Sequence, residues 1–224
     1  MLYSIIIPVF NESNNLKTLL SQLESYYKKG HEVIIINDGS TDDTKNILND
    51  TKFIKAINLG NNSGKGIAIK HGLLNAVNNK IIIYDGDLEL DTDDISKLMI
   101  LNKKQNIFSI MGIRFKNLGF FNSGIDWGNF MFTSFFNLIN KTLHKDILCC
   151  AKSFYIKDIP INKLMAKGFD IDVEFASILT KNNRGRPIPQ KMLNYKRRGK
   201  KDGKKLKISD GWVILKRIIL SAKF

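Results

Sequence analysis

Four carboxylate side chains occur within seven residues that follow the apolar run Ile81–Ile83. They alternate with Gly and Leu and are, in chain order, Asp85, Asp87, Glu89 and Asp91. Side chains two residues apart at a strand end project to the same side, so the first three are expected to share a small volume. Carboxylates so close repel one another, and a divalent cation with a preference for oxygen ligands, Mg²⁺ or Mn²⁺, removes that repulsion. The alternative is a solvated acidic turn that caps a helix near Thr92–Asp94.

Polar segments follow each of the first four strand-like runs of the sequence. Such runs alternate with helical patterns, which predicts an α/β fold whose mostly parallel sheet carries helices on both faces. The predicted strands are Ser4–Phe10, His31–Asn37, Lys52–Asn58, Lys80–Tyr84 and Ile107–Ile113. Ligands of such sheets bind beyond the carboxyl ends of the strands. The polar segments are therefore expected to form one pocket, and they are 8–12, 38–42, 58–65 and 85–91.

The chain has 224 residues and a hydrophobic content of 43%, enough for one domain with a sizeable core. Its formal net charge of +14 is unevenly distributed. Residues 1–110 carry 12 Lys and Arg against 13 Asp and Glu, so the whole excess belongs to residues 111–224. We interpret these ranges as two halves of a single domain, the second of which ends in a basic C-terminal extension.

The basic excess is densest from Lys196 to Lys207, where eight Lys and Arg accompany one acidic residue, Asp202. This segment suits phosphate groups, whether of nucleic acid, of an anionic lipid surface or of a pyrophosphate substrate. The plainer interpretation is a solvated basic surface. A helix is predicted over Trp127–Ile139, and its aromatic residues indicate either core packing or a location at a membrane boundary. The apolar segment Trp212–Phe224 is expected to be a docked final helix or one lying on a bilayer.

The cysteines and the apolar segments together predict a location inside the cell. Cys149 and Cys150 are adjacent and are expected to be free thiols in a reducing cytoplasm. The sequence enters a strand-like run directly after Met1, without the basic start of a secretory signal. No stretch approaches the ~18–20 apolar residues of a membrane span. The expected location is therefore cytoplasmic, peripheral on the inner face of the cytoplasmic membrane.

The motifs taken together resemble glycosyltransferase family 2, whose members have a GT-A fold, and in particular its polyprenyl-phosphate (dolichyl-phosphate) hexose transferase branch. The similarity covers nearly the whole chain in order. The segments that carry it are SIIIPVFNE (4–12), EVIIINDGSTDDT (32–44), NLGNNSGKGIAIKHGL (58–73), YDGDLELD (84–91), GIRF (112–115), NFMFTSFFNLI (129–139), DILCCAKSF (146–154), GFDIDVEF (168–175) and KKLKISDGW (204–212).

This resemblance implies that residues 1–110 bind a nucleotide-diphosphate sugar. Three residues of the first polar segment would line the nucleoside site, namely Pro8, Phe10 and Glu12. Asp38, shortly after Ile36, would accept a hydrogen bond from a base N–H, which suits an acceptor-only carboxylate. Lys65 would approach the base or the pyrophosphate. Asp85, with Gly86 beside it, would contact the sugar or ribose, while Asp87 would bind the metal on the diphosphate with Glu89 as a second ligand.

Residues 111–224 are then implied to bind the acceptor, a polyprenyl phosphate, and to face the membrane. A cationic cradle for the acceptor phosphate beside the anomeric carbon is expected from five basic residues, which are Arg114, Lys152, Arg198, Lys204 and Lys205. Asp85, Asp87 and Arg114 are the implied catalytic residues. Asp172 and Glu174 are interpreted as ion-pairing residues, with the acceptor side as their alternative location.

The implied reaction is an inverting transfer of a hexose from the nucleotide donor to the lipid phosphate, with Mg²⁺ or Mn²⁺ as cofactor. Two alternatives are weighed against it. The first keeps the fold but uses a soluble glycan as acceptor in the synthesis of a cell-surface polysaccharide. The second is a non-enzymatic module that binds nucleic acid or membranes through its basic half. An acidic cluster would repel nucleic acid, so nucleic acid is not an expected partner.

Overall fold

The computed structural model describes residues 1–115, 124–183, 186–198 and 208–221. Within these ranges seven strands and six α-helices follow one another along the chain. The strands are β1 (Tyr3–Val9), β2 (Glu32–Asn37), β3 (Lys55–Asn58), β4 (Lys80–Ile83), β5 (Ser109–Ile113), β6 (Lys152–Tyr155) and β7 (Gln190–Met192). The helices are α1 (Ser13–Lys28), α2 (Thr44–Asn49), α3 (Lys65–Asn75), α4 (Gly124–Asn140), α5 (Ile171–Asn182) and α6 (Ile208–Ser221). Short 3₁₀ helices cover Thr92–Leu98, Lys103–Gln105, Ile156–Asp158 and Ile161–Lys163.

The described strands form one sheet in the order β3-β2-β1-β4-β6-β5-β7. β1 pairs in parallel with β2 and β4, β2 with β3, and β5 with β7. β6 alone runs antiparallel to its neighbours, β4 and β5. The prediction of a mostly parallel sheet is confirmed. The sequence prediction lacks β6 and β7, which extend the sheet on the side of β4 that is remote from β1.

The central strands consist of β-branched residues that are buried on both faces of the sheet. In β1, Ile5 and Ile7 face one apolar core, whereas Ile6 faces the other. The first core is completed by α1, α2 and the 3₁₀ helix Thr92–Leu98, and the second by α3, α4, α5 and α6. Helices therefore cover both faces, as predicted. Burial on both faces explains why these strands are continuous apolar runs instead of alternating patterns.

The predicted helix over Trp127–Ile139 is confirmed as α4, and it packs beside the C-terminal helix α6. The Asn140 side chain donates a hydrogen bond to the Ser221 hydroxyl at 3.0 Å across the two helices. Arg217 of α6 donates through Nε to Asp170, directly before α5, at 2.9 Å. Among the helices in the described ranges, none is both long and apolar enough to cross a membrane.

Candidate active site

The loops at the carboxyl ends of the first three strands are bonded to one another. Asp38, which follows β2, accepts hydrogen bonds from the backbone amides of Ser63 and Gly64 at 2.8 and 2.9 Å. Asn11, which follows β1, accepts a hydrogen bond from the Thr41 amide at 2.8 Å. These contacts hold polar segments of distant sequence at one edge of the sheet, where the strand–helix alternation predicts a ligand pocket.

The residues expected at the nucleoside site differ in how much surface they present. Pro8 is half-buried in β1 beside Ile36 of β2, which is fully buried, and Phe10 is half-buried just after β1. Asp38 is 4% exposed. Burial raises the pKa of its carboxyl, although the Ser63 and Gly64 amides lower it. The contact made by Asp38 in this structure is to the third loop, and its contact with a nucleobase stays a prediction.

The start of α3 approaches the segment before α5 so closely that only glycine fits. Gly64 has a φ of +99°, and a Cβ placed there would lie 2.3 Å from the carbonyl oxygen of Lys167. The Gly66 amide donates to that same oxygen at 2.8 Å. The glycines of this loop therefore allow two protein segments to meet.

Replacing Gly64 with alanine is expected to destabilise the fold by about 2 kcal/mol or more, because the new methyl group meets both a strained φ and a backbone oxygen. Gly60 is the matched control, since a Cβ there meets no atom within 4 Å. Gly60→Ala should change stability by less than about 0.5 kcal/mol. Urea unfolding measures both variants. Equal midpoints for the two would contradict this account of the loop.

Asp85 follows β4 and forms an ion pair with Lys65, the first residue of α3. The Lys65 Nζ lies 2.9 Å from Asp85 Oδ1. Burial would raise the pKa of Asp85, but the Lys65 ammonium and, to a smaller extent, the Arg114 guanidinium hold that pKa below its usual value. The adjacent Gly86 is buried against β1, where a Cβ would lie 2.5 Å from Val9 Cγ1. Close packing of the strand end on β1 thus fixes the direction in which Asp85 leaves the sheet.

Arg198 binds three of the acidic residues at this edge. Its Nη2 lies 2.9 Å from Glu12 Oε1 and 3.6 Å from Asp87 Oδ2. Its backbone amide donates to the Glu89 carboxylate at 3.0 Å. The Lys196 amide also donates to the Glu89 backbone oxygen at 2.8 Å, so the residues after β7 are aligned along the acidic segment. The chain thereby brings a cation from its basic half to carboxylates of its acidic half.

The carboxylates of Asp87 and Glu89 fit a divalent cation by their chemistry. Burial raises the pKa of Asp87 to about 6, and the negative charge of Asp85 adds to that effect. A cation nearby would favour the ionised form. In the described ranges no group of three or more His, Cys, Asp or Glu side chains is arranged to hold a metal. Mg²⁺ commonly takes only one or two protein carboxylates, and it completes its shell with substrate phosphate oxygens and water.

Asp91, the last residue of the acidic segment, has a local structural role. Its side chain accepts a hydrogen bond from the Asp93 amide at 3.0 Å and so caps the 3₁₀ helix Thr92–Leu98. The capping interpretation thus holds for Asp91, the residue directly before this 3₁₀ helix.

Arg114 forms a bidentate ion pair with Asp146 beside this edge. Arg114 Nε and Nη2 lie 2.8 and 2.9 Å from the two carboxylate oxygens. Asp146 is 1% exposed, and burial alone would lower the pKa of Arg114, but the Asp146 charge raises it well above its usual value. The guanidinium also lies 5.5 Å from the Phe115 ring and 5.6 Å from the Tyr195 ring. Arg114 is thus a rigid, permanently charged group.

The other residues predicted for the acceptor cradle are placed differently. Lys152 is fully buried, and its Nζ donates to the backbone oxygens of Cys149 and Ile147. Its acceptor contact stays a prediction. Lys204 and Lys205 lie outside the described residues. Glu174 accepts hydrogen bonds from the loop amides before α5, which supports its structural interpretation.

No sequence pattern predicts a role for Asp146 or pairs Lys65 with Asp85 and Asp172. Asp146 lies 32 residues from Arg114, and Asp172, the second partner of Lys65, lies 107 residues from it. Local sequence patterns do not predict ion pairs between residues so far apart in the chain. A buried basic residue offers one signal, since a buried charge requires an opposite charge, but burial is not visible in a single sequence.

Comparison with known protein families identifies the family of this chain. The sequence model of glycosyl transferase family 2 matches residues 4–160, more than half of the chain. The chain belongs to glycosyl transferase family 2. The segments around Asp38, Lys65, Asp85, Asp87 and Arg114 all lie within the match. Arg198 and Asp172 lie after it.

Individual relatives within family 2 are similar over part of their length. An uncharacterized glycosyltransferase of Synechocystis sp. is 38% identical over 103 residues, 43% of this chain and 32% of the relative. A dolichyl-phosphate beta-glucosyltransferase of Trichomonas vaginalis is 32% identical over 130 residues, 51% of this chain and 40% of the relative. The poly-beta-1,6-N-acetyl-D-glucosamine synthase of Staphylococcus epidermidis is 35% identical over 106 residues, which are 46% of this chain and 26% of the synthase. The matches thus span about a quarter to two fifths of these relatives.

The fold is shared with solved structures. A crystal structure of glucosyl-3-phosphoglycerate synthase from Mycobacterium tuberculosis, in complex with Mn²⁺, UDP and glucosyl-3-phosphoglycerate, superposes with a TM-score of 0.74. The two are 12% identical, and the match covers 99% of this chain and 80% of that one. The GT-A fold that the sequence resemblance implies is therefore confirmed. At this identity the likeness establishes the fold alone.

Proposed function

We propose that this chain is an inverting hexosyltransferase that moves a sugar from a nucleotide-diphosphate donor to a polyprenyl phosphate, with Mg²⁺ or Mn²⁺ as cofactor. One observation carries the proposal. Two of the carboxylates that follow β4 each face a cation from elsewhere in the chain, Asp85 facing Lys65 and Asp87 facing Arg198. They lie at the strand ends of a fold whose solved relative was crystallised with Mn²⁺ and UDP.

On the donor side of the proposed site, the acidic residues after β4 would contact the metal and the sugar nucleotide. Asp87 and Glu89 would hold the divalent cation, which supplies neutralisation of the diphosphate as it leaves. Asp85, held by Lys65, would accept hydrogen bonds from hydroxyl groups of the sugar or ribose. Pro8, Phe10, Glu12, Asp38 and Gly86 would line the nucleoside side, and the fully buried Ile36 would support Pro8 from the neighbouring strand.

The acceptor half requires cations more than it requires a base. A polyprenyl monophosphate is already anionic at neutral pH, so its oxygen can attack without prior deprotonation. Arg114 and Arg198 are suited to hold that phosphate, because a guanidinium presents a planar fork of donors. Lys204 and Lys205 are the further cations we assign to it. The similarity to a dolichyl-phosphate beta-glucosyltransferase supports this acceptor class.

The proposal is tested by incubating the full chain and MnCl₂ with UDP-glucose, UDP-N-acetylglucosamine or GDP-mannose and a short polyprenyl phosphate in detergent. A lipid-linked sugar from one donor, abolished by EDTA, is the expected product. If every donor stays intact while a reference enzyme that glycosylates polyprenyl phosphate is active in the same mixture, the proposal is wrong.

A soluble glycan acceptor is the second candidate, favoured by the similarity to a poly-beta-1,6-N-acetyl-D-glucosamine synthase. It predicts elongation of a β-1,6-linked glucosamine oligosaccharide, unaffected by lipid. Parallel reactions with the oligosaccharide and with polyprenyl phosphate distinguish the two candidates, because each acceptor gives a product of different mass.

We further propose that α4 and α6 lie against an anionic membrane. Both helices carry large apolar side chains that are exposed, and these are Trp127, Met131, Leu138, Trp212, Val213 and Ile219. Trp212→Ala is expected to weaken binding to phosphatidylglycerol vesicles roughly tenfold, because an indole favours the membrane interface. Val77→Ala is the control, since Val77 is about as exposed as Trp212 but lies between α3 and β4 instead of on α4 or α6. Vesicle co-sedimentation measures both, and equal losses would contradict the assignment.

A further inference from the structure

Four charged side chains of alternating sign form a continuous chain behind the candidate site. From the site inward they are Asp85, Lys65, Asp172 and Lys152. Lys65 Nζ lies 2.9 Å from Asp85 Oδ1 and 3.1 Å from Asp172 Oδ2. Lys152 Nζ lies 3.8 Å from Asp172 Oδ1. The exposed fraction of the side chains falls along the chain, from 30% to 11%, 5% and 0%.

Lys65 is enclosed by this arrangement. Its ammonium lies between two carboxylates and 5.6 Å from the ring of Phe169. Gly64 fixes where its backbone begins, through the contact with Lys167 described above. The Lys65 side chain is otherwise long and flexible, so its position depends on both carboxylates. Asp85 fixes it from the site, and Asp172 fixes it from α5.

One carboxylate oxygen of Asp172 is buried without a hydrogen bond from any described residue. Its Oδ1 is buried, makes no hydrogen bond within the described part of the chain and faces Lys152 only at ion-pair distance. Buried ion pairs are often less stabilising than apolar side chains of similar volume. A fold that needed only packing here would be served equally by apolar residues, which points to a second purpose for the pair.

We propose that Asp172 is a positioning residue: it holds Lys65 so that Lys65 in turn directs Asp85 at the sugar nucleotide. This inference rests on the proposed function, since it gives Asp85 a donor to contact. Residues that orient a metal ligand from behind typically contribute about 10–100-fold in affinity or activity, and we apply the same scale to a residue behind a carboxylate that contacts the donor. Loss of Asp172 should therefore weaken donor binding about tenfold or more, while the affinity for the acceptor stays unchanged.

The competing explanation is that Asp172 serves only to neutralise Lys152. The variant Asp172→Asn cannot separate the two, because it leaves Lys152 buried without an opposite charge and threatens the fold. The double variant Lys152→Met with Asp172→Asn removes both charges and keeps the volumes. It should recover most of the stability lost in Asp172→Asn, as urea unfolding would report. The donor site is then examined in a folded protein.

Two readouts are applied to the wild type and to the double variant. The first needs no ligand: competitive acetylation followed by mass spectrometry gives the reactivity of Lys65 relative to Lys17, which is exposed on α1. Reactivity of Lys65 should rise several-fold in the double variant. The second is titration with UDP-glucose, UDP-N-acetylglucosamine and GDP-mannose, each with MnCl₂, for which the Kd of the donor bound by wild type should rise about tenfold.

Each outcome decides something different. Raised Lys65 reactivity together with weakened donor binding supports the inference, and recovery of both in Asp172→Glu, with Lys152 retained, would strengthen it. Unchanged reactivity overturns it whatever the donor does, because Asp172 then does not hold Lys65. Raised reactivity with an unchanged Kd also overturns it. A wild type that binds none of the three nucleotides rejects the proposed function, and the inference with it, without any variant being involved.

Discussion

Replacing Asp87 with asparagine is expected to slow sugar transfer by about 100-fold or more and, at the same time, to stabilise the metal-free protein at pH 7.5. Asparagine keeps the shape of the side chain but loses the charge that would hold a divalent cation beside the diphosphate. Removing one group that stabilises charge in a transition state commonly costs about 100- to 1,000-fold in rate. Transfer measured with MnCl₂ present should fall by about that factor.

The gain in stability follows from the raised pKa of Asp87, about 6 where an aspartate ordinarily titrates near 3.8. The folded state binds the Asp87 proton more tightly than the unfolded state. The free energy of unfolding is therefore highest, as far as Asp87 is concerned, below about pH 4, and it falls as the pH rises from about 4 through 6. Above pH 6 the ionised carboxylate destabilises the fold, by about 1 kcal/mol once solvent screening is allowed for. Asparagine removes that penalty, which corresponds to about 3 °C in Tm.

Thermal unfolding in EDTA at pH 7.5 and at pH 4 tests this prediction. The advantage of Asp87→Asn should largely disappear at pH 4, because the folded wild-type carboxyl is then almost fully protonated and roughly half of the unfolded carboxyls are protonated as well. Asp93→Asn is the matched control, since Asp93 is an exposed carboxylate of the same region. It should change neither transfer nor Tm. An Asp87→Asn protein that transfers sugar normally would remove Asp87 from the proposed site.

The parts of the fold that the sequence predicts are those encoded by local patterns. The Ile-rich runs of β1, β2 and β4 identify buried parallel strands because they are covered by helices on both faces. The polar segments after them must then lie at one edge. Boundaries shift by a few residues; the third strand, for example, begins at Lys55 instead of Lys52.

The parts that the sequence does not predict depend on partners far along the chain. β6 is fully buried but begins with Lys152, and a charged residue is not expected in a buried strand. β7 has only three residues, Gln190–Met192, which is too short for a recognisable pattern. The place of Arg198 at the acidic segment depends on an antiparallel bridge between Leu90 and Tyr195, more than 100 residues apart. Register of this kind is set by the assembled sheet. Sequence patterns therefore predicted the loops that follow β1 to β4 better than the contacts made by residues after β5.

Replacing Arg114 with methionine is expected to have the largest effect on stability. Asp146 is 1% exposed and would lose both guanidinium hydrogen bonds, and among the described residues only the backbone amide of residue 114, at 3.2 Å, would still donate to it. Removing one partner of a buried ion pair typically costs about 3–5 kcal/mol. Urea unfolding should show a loss of that size. Arg186→Met is the control, because Arg186 is exposed, and it should cost less than about 0.5 kcal/mol.

The double variant Arg114→Met with Asp146→Leu separates the structural role of Arg114 from its proposed role at the acceptor. Replacing a buried ion pair by apolar residues of similar volume is often neutral or stabilising, so most of the lost stability should return. Transfer to polyprenyl phosphate should not return, because the guanidinium that we assign to the acceptor phosphate is still missing. Donor affinity, measured by titration, should be close to that of the wild type.

Arg114→Lys completes the comparison, since lysine keeps the positive charge but cannot form the bidentate pair. We expect a raised KM for the polyprenyl phosphate with little change in donor affinity, because a flexible ammonium holds the phosphate less firmly than a guanidinium fixed by Asp146. Normal transfer by the stable double variant would mean that Arg114 serves only to neutralise Asp146. The acceptor phosphate would then have to be held by Arg198 and by cations of the basic C-terminal extension.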